Sequence, residues 1–350
     1  MTEYIFSQLI LENGAIFTGR SPSWQHGTFY GESVFTTGMT GYPETLTDPS
    51  YAGQIITFTF PLIGNYGIPI PDHWESAKIH AHGIVLSQLC HNWNHHSGKH
   101  SLEHWCKEQN VPLITGVDTR ALTKMLRNKG TMLGAITTES KKRFQFANGS
   151  TDHLVSRVSC KEKTAYSNGK KVIIAVDCGI KENIIRSLLK FPITVVKVPF
   201  DYDYSHDQYD GIFLSNGPGD PVQCTRTIEI LQKALQKKKP IFGICLGTQL
   251  MALAAGAKTY KLPFGHRSQN QPCLDIETNK CYITSQNHGY AIDERSLPKD
   301  WKVTFRNLND GSVEGIKHTS SPHFSVQFHP EATPGPTDTL WLFEKFYQSL

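Results

Sequence analysis

The sequence predicts a two-domain α/β protein, with a mixed, β-rich α/β domain first and a mostly parallel sheet flanked by helices second. Three observations carry this expectation. The chain has 350 residues, more than one typical domain and few for three. From Glu139 to Lys171 it turns polar and turn-rich (ESKKRFQFANGSTDHLVSRVSCKEKTAYSNGKK), then strongly apolar from Val172 to Val176, which places a boundary near residue 170 and domains over 1–170 and 171–350. Beyond that boundary, short apolar runs alternate with helical patterns, as parallel strands with crossover helices do.

Taken in order, the first domain contains the β-rich segments SVFTTGMTGY and QIITFTFPLIGNYG and one clear helical stretch from Thr119 to Asn128. In the second, a strand over Val172 to Val176 precedes a helix over Glu182 to Lys190. A strand over Gly211 to Leu214 precedes a helix over Thr225 to Lys237, and a strand over Ile241 to Ile244 precedes a helix over Thr248 to Ala255. The last hundred or so residues read as strands with turns, as in VTFRNLNDGSVEGIKH, before a final helix over Thr337 to Tyr347. Some antiparallel strands therefore accompany the parallel core. No internal repeat or low-complexity tract interrupts the pattern.

Composition narrows the function classes. Hydrophobic residues at 39%, charged residues at 19%, 28 Gly and 19 Pro describe a folded protein rich in turns. A formal net charge of +4, dispersed and without a basic stripe among aromatics, argues against nucleic acid. The eight cysteines (Cys90, Cys106, Cys160, Cys178, Cys224, Cys245, Cys273 and Cys281) form no CxxC pair. They make neither a disulfide framework nor a zinc ribbon, so a reducing compartment is expected. The opening MTEYIFSQLILENGAIF lacks a basic region followed by an apolar block, and no stretch approaches the ~20 apolar residues of a membrane span. A cytoplasmic protein is expected, or a plastid stromal one if plastid-encoded. Asn148-Gly149-Ser150 matches a glycosylation acceptor but has no secretion signal beside it.

The sharpest local signal is Gly243-Ile244-Cys245-Leu246-Gly247, where an apolar strand hands over to a helix. Such an elbow presents a nucleophile, its glycines let the backbone turn, and the helix N-terminus favours thiolate over thiol. A small buried cysteine fits the same residues. Near the C-terminus, Phe328-His329-Pro330-Glu331 follows the strand-like HFSVQ. Residues i and i+2 of an extended segment share a face, so His329 and Glu331 can act together as base and orienting carboxylate; an ordinary surface loop is the other reading. Ser215-Asn216-Gly217-Pro218-Gly219-Asp220-Pro221 follows the strand ending at Leu214. It is a surface turn, a phosphate cradle or, better, an oxyanion hole, since it lacks the Lys-Ser/Thr of a nucleotide loop. Cys90, His91, His95, His96 and His100 cluster in CHNWNHHSGKH, but Ser97-Gly98 breaks the helical pattern and no carboxylate lies within the cluster. A solvated polar face is expected there, and no metal site is assigned.

Together, SNGPGDP, GICLGTQLMALAAGAK, SQNHGYAID and FSVQFHPEATPGP resemble the class I (triad) glutamine amidotransferases in order and spacing. GESVFTTGMTGYPETLTDPSYAGQIITFTFPLIGNYG and GVDTRALTKMLRNKG resemble the small subunit of carbamoyl-phosphate synthase, so the likeness covers essentially the whole chain. The resemblance implies a triad of Cys245, His329 and Glu331, with glutamine held by Ser50 of the first domain and by Gly217, Gly219, Leu246, Gln249, Asn287, Gly289 and Tyr290 of the second. It implies an active site at the domain interface and an oxyanion held by the N–H groups of Leu246 and Gly217. It further implies a large-subunit partner, in a heterodimer or higher oligomer, that uses ATP and Mg and receives ammonia through the interface. No cofactor is expected in this chain. Two positions depart from the pattern: Thr248 stands where relatives often carry histidine, and Tyr290 where phenylalanine is common. Another hydrolase of the same fold, or a scaffold that has lost the chemistry, are the competing readings. The first 170 residues weigh against the former and the intact triad against the latter.

Overall fold

The computed structural model describes residues 3–139, 146 and 153–350, so the Asn148-Gly149-Ser150 motif lies outside the described residues. The chain divides into two compact units, Met1–Asp152 and His153–Leu350. Among the described residues no helix is long and apolar enough to cross a membrane.

The first unit runs β1 (Tyr4–Leu11), β2 (Ile16–Pro22), β3 (Thr28–Thr36), α1 (Tyr42–Thr47), β4 (Gln54–Phe58), β5 (Leu62–Ile63), β6 (Gly83–Val85), β7 (Gln88–Leu89), α2 (Leu102–Glu108), β8 (Leu113–Ile114), α3 (Thr119–Lys129) and β9 (Met132–Thr137). Seven strands form one sheet in the order β2-β1-β9-β3-β4-β6-β8, while β5 pairs with β7. Pairing is antiparallel from β2 to β3 and parallel from β3 to β8. Strand alternation sends the neighbours Ile55 and Ile56 to opposite faces. Ile55 packs with Leu122 and Leu126 of α3, and Ile56 with Tyr42, Leu46 and Trp105 of α1 and α2. The expected helix α3 is capped by Asp118, whose carboxylate accepts from the Ala121 N–H at 2.9 Å, and ends at Gly130 with φ 92°. Helices α1 and α2 are too short to announce themselves by periodicity. The histidine-rich segment forms no helix; His95 Nδ1 lies 2.7 Å from Ser97 Oγ and His91 3.5 Å from Glu103.

The second unit runs α4 (Leu154–Val158), β10 (Thr164–Tyr166), β11 (Lys171–Asp177), α5 (Glu182–Leu188), β12 (Ile193–Pro199), β13 (Gly211–Leu214), α6 (Thr225–Leu235), β14 (Ile241–Ile244), α7 (Leu246–Ala254), β15 (Lys258–Asp275), β16 (Lys280–Asp293), β17 (Trp301–Asn307), β18 (Val313–His318), β19 (His323–Val326) and α8 (Trp341–Ser349). Its sheet has the order β10-β12-β11-β13-β14-β19-β18-β17-β15-β16. The stretch from β12 to β19 is parallel, and the pairings flanking it are antiparallel. Ile174 and Val176 pack with α6 and α7 on one face, and Ile173 and Ala175 with α5 and α8 on the other.

The division between the units falls after Asp152 rather than near residue 170. Polar, turn-rich composition runs from Glu139 to Lys171, yet from His153 onward this stretch supplies α4 and β10 to the second unit. Val155 of α4 is buried in the same core as Ile174 and Leu214, and β10 pairs with β12 at the sheet edge. The last helix starts later than expected, at Trp341, because residues 338–340 form a turn. The chemistry-bearing residues of this unit gather where β13, β14 and β19 end, the carboxyl edge where open α/β sheets bind ligands.

Candidate active site

Cys245 sits between β14 and α7 with φ 54° and ψ −106°, a conformation an L-residue rarely adopts. The sharp turn is thus held by the cysteine itself and not, as the sequence suggested, by the flanking glycines. Those glycines serve close packing. A Cβ on Gly247 would lie 2.3 Å from the Leu214 carbonyl oxygen, and one on Gly243 2.8 Å from the backbone of Gly247. The elbow is tied to β19 twice: the Cys245 N–H donates to Val326 O at 2.9 Å, and the Thr248 hydroxyl donates to the same oxygen. Thr248, the departure from the family pattern, therefore works as a strut. Cys245 is 2% exposed, and its Sγ faces the Asn287 carbonyl at 3.6 Å.

His329 follows β19, with its N–H donating to Ser285 O at 2.9 Å. Its Nδ1 lies 2.7 Å from Glu331 Oε1, so the expected pair forms. The geometry that makes it differs from expectation. A turn through Pro330 and Glu331, closed by the Ala332 N–H on His329 O at 3.1 Å, brings the carboxylate back, rather than alternation along a strand. The buried His329 Nε2 has no hydrogen-bond partner and lies under the influence of Cys245. Burial alone pushes this imidazole down, but the Glu331 carboxylate and Cys245 outweigh it and hold it up, at about 10. Burial likewise opposes charge on Glu331, and Lys181 with His329 overcomes it and holds the carboxyl below its ordinary range.

Lys181 carries no signal in the sequence, where a lysine just before a helix reads as surface. In the structure it is buried at the start of α5. Its Nζ donates to Glu331 Oε1 at 3.0 Å and to Ala332 O at 2.5 Å. A buried row of cation, carboxylate and imidazole, Lys181 to Glu331 to His329, therefore runs toward Cys245. Asn183 reinforces it by donating to Glu331 O at 2.6 Å and Thr333 Oγ1 at 2.7 Å.

The loop after β13 packs on the elbow. A Cβ on Gly217 would meet Cys178 O at 2.1 Å and Leu246 Cδ2 at 2.8 Å, so only glycine fits there. Leu246 opens α7, and its N–H belongs to the donors that a helix leaves unsatisfied at its N-terminus. Gly219, with φ 89°, is exposed at the far end of the turn beside Leu154. Gln249 is buried on α7, with Nε2 donating to Tyr290 O at 2.9 Å and Gln327 Oε1 at 3.1 Å. Asn287, Gly289 and Tyr290 lie together on β16, so α7 and β16 converge beside the cysteine. Ser50 belongs to the first unit, in the turn Pro49–Tyr51, where its N–H donates to Asp48 Oδ1 at 2.9 Å.

Comparison with known proteins matches both parts of the chain. Residues 174–349 fit the class I glutamine amidotransferase model, and residues 9–136 fit the CPSase domain of the carbamoyl-phosphate synthase small chain. A carbamoyl phosphate synthase arginine-specific small chain of Yarrowia lipolytica is 47% identical, the match covering 96% of this chain and 80% of that one. The Saccharomyces cerevisiae protein of the same description is 46% identical, with 97% and 87% covered. The multifunctional protein CAD of Squalus acanthias is 49% identical over 97% of this chain, which spans only 16% of that much longer protein. With each half matched, and with relatives of comparable length sharing nearly half its residues, the chain belongs to the carbamoyl-phosphate synthase small chain family.

Proposed function

We propose that this chain is the glutaminase subunit of a glutamine-hydrolysing carbamoyl-phosphate synthase. It hydrolyses glutamine to glutamate and ammonia and passes the ammonia to a large subunit, where ATP and Mg serve carbamoyl phosphate synthesis for arginine and pyrimidine formation. The observation that carries this reading is the strained Cys245 at the end of β14, with the buried His329 and Glu331 pair beside it. A hydrogen-bonded pair with one imidazole nitrogen left toward the sulfur is what a cysteine nucleophile needs.

In the proposed cycle the Cys245 sulfur attacks the side-chain amide carbon of glutamine. The developing oxyanion takes hydrogen bonds from the N–H groups of Leu246 and Gly217. His329, held protonated by Glu331, gives its Nε2 proton to the departing amide nitrogen, and ammonia leaves. Water then adds to the glutamyl thioester with His329 taking its proton, and collapse of the adduct releases glutamate and expels the Cys245 thiolate beside the again protonated imidazole. Gly219, Gln249, Asn287, Gly289 and Tyr290 are the proposed glutamine contacts, with Ser50 added on the strength of the resemblance alone. Lys181 is proposed as a positioning residue that keeps Glu331 ionised and in place. The cytoplasm, or the stroma of a plastid, is the proposed setting.

The test is Cys245→Ser assayed with the large subunit. Glutamine-dependent carbamoyl phosphate synthesis should disappear while synthesis from added ammonia persists. Loss of both from an assembled complex, or retention of both, sinks the proposal. A second class of reading, a scaffold without chemistry, predicts the latter.

A further inference from the structure

Three strands in the antiparallel part of the second unit's sheet bring together buried titratable groups other than the Cys245, His329 and Glu331 set. His266 comes from β15, His288 from β16 and Glu314 from β18, and all three are buried. His266 Nδ1 lies 3.2 Å from His288 Nε2 and 3.4 Å from Glu314 Oε1, and the remaining edge is 3.7 Å.

The outward nitrogens decide what the inward ones can do. His288 Nδ1 lies 2.8 Å from Tyr290 O, a carbonyl that only accepts, so that nitrogen carries the single proton of the neutral ring. His266 Nε2 lies 2.9 Å from Asp310 Oδ2 and by the same reasoning carries its proton there. With both protons turned outward, two nitrogen lone pairs and a carboxylate oxygen face one point. Gln286 Oε1 adds another acceptor 3.2 Å from His288 Nε2, its amide nitrogen being turned to Cys273 Sγ and Thr284 Oγ1. The donors in reach, Asn307 Nδ2 and Ser312 Oγ, stand 3.4 to 3.5 Å from these atoms, too far to relieve them. Glu314 Oε2 is buried without a hydrogen bond.

We propose that His266, His288 and Glu314 bind one divalent transition-metal ion, zinc before others, as a structural clamp on β15, β16 and β18. Tetrahedral zinc with donors at about 2.0–2.1 Å needs ligand-to-ligand edges of about 3.3–3.4 Å, close to the three observed here. An ion about 2.1 Å from all three donors sits slightly to one side of their plane, leaving a fourth position for Gln286 Oε1, Glu314 Oε2 or a water. The outer partners are those a metal-bound imidazole favours, a carboxylate on His266 and a backbone carbonyl on His288. None of these residues belongs to the Cys90 to His100 cluster of the sequence, to which no metal is assigned. The site shares β16 with Asn287 and Tyr290, so the clamp would steady the strand that passes Cys245.

The competing occupant is a proton. Burial lowers the His266 pKa, but its bonds to Asp310 and Glu314 raise it, to about 9. The experiment separates the two by titrating the chelator-stripped full-length chain with cobalt(II), and with zinc under thermal denaturation. Wild type should take up one equivalent of cobalt with the visible d–d bands of a tetrahedral site, and zinc should raise the unfolding temperature. Both signals should vanish in Glu314→Gln and survive in His95→Ala/His96→Ala, which removes surface imidazoles. If Glu314→Gln fails to fold, Asp310→Asn replaces it and should weaken cobalt about 10–100-fold by loosening the His266 ring. A wild-type chain without tetrahedral bands, or bands that depend on His95 and His96 instead, overturns the proposal and leaves the proton as occupant.

Discussion

Two buried histidine–carboxylate clusters lie in the second unit, and they close their charge differently. At His329 the carboxylate of Glu331 takes the imidazole Nδ1 and the Lys181 ammonium on one oxygen, and the other ring nitrogen is left toward Cys245. At His266 and His288, the inward nitrogens face each other and Glu314 Oε1. The residue types are nearly the same. A lysine behind the carboxylate frees a histidine to work outward on a third group, whereas two imidazoles turned inward make a closed pocket that asks for a cation.

The widest separation between the clusters should come from His329→Asn. Removing the acid-base group should lower glutamine turnover by about 10²–10⁴-fold while glutamine still binds. Glu331→Gln should cost less, because it orients the ring without exchanging a proton with substrate. Single-turnover kinetics with a separate binding measurement would check this, and equal, negligible effects would break the comparison at its root.

Next in size is Lys181→Met. Removing one partner of a buried ion pair costs about 3–5 kcal/mol, and the lower end is expected because His329 still faces Glu331. Urea unfolding should report that loss. Turnover should fall about tenfold to a hundredfold through a misplaced ring, with partial recovery in Lys181→Arg. An unchanged turnover at full destabilisation would make Lys181 a purely structural residue.

The smallest effect is on stability against pH. The folded pKa of His329 is raised from 6.5 to about 10, so its contribution is whole below pH 6.5 and fades as pH climbs toward 10. That of Glu331 is lowered from 4.5, so its contribution is present above pH 4.5 and fades as pH falls below that value. The pair should therefore stabilise most between pH 4.5 and 6.5. Subtracting the unfolding profile of His329→Asn from that of wild type isolates the alkaline limb, and a flat difference would refute it. Lys181→Met should move the acid limb upward, since that lysine is the main group favouring the charged carboxylate.

Much of this was legible in the sequence because the signals were local. The strand and helix around Cys245, the short spacing from His329 to Glu331 and the glycines of SNGPGDP all lie within a few residues of one another. What escaped was non-local or disguised. Lys181 lies 150 positions from Glu331, and nothing nearby marks it as buried. His266, His288 and Glu314 come from three strands whose register alone unites them. Polar composition hid α4 and β10, since an edge strand and a short helix need few apolar residues to join a core. The glycines of the elbow were noticed for the wrong reason, because steric room is not visible until the neighbouring strand is in place.

The positive φ of Cys245 has a consequence for how such a protein evolves. A non-glycine residue in so sparsely populated a conformation sacrifices on the order of 1–3 kcal/mol. Cys245→Gly would relax that backbone, so selection for heat resistance alone would drift toward an inert chain that folds better than its ancestor. As the proposed nucleophile, Cys245 persists only while flux through the reaction is itself under selection. Endurance and activity therefore pull on one codon in opposite directions.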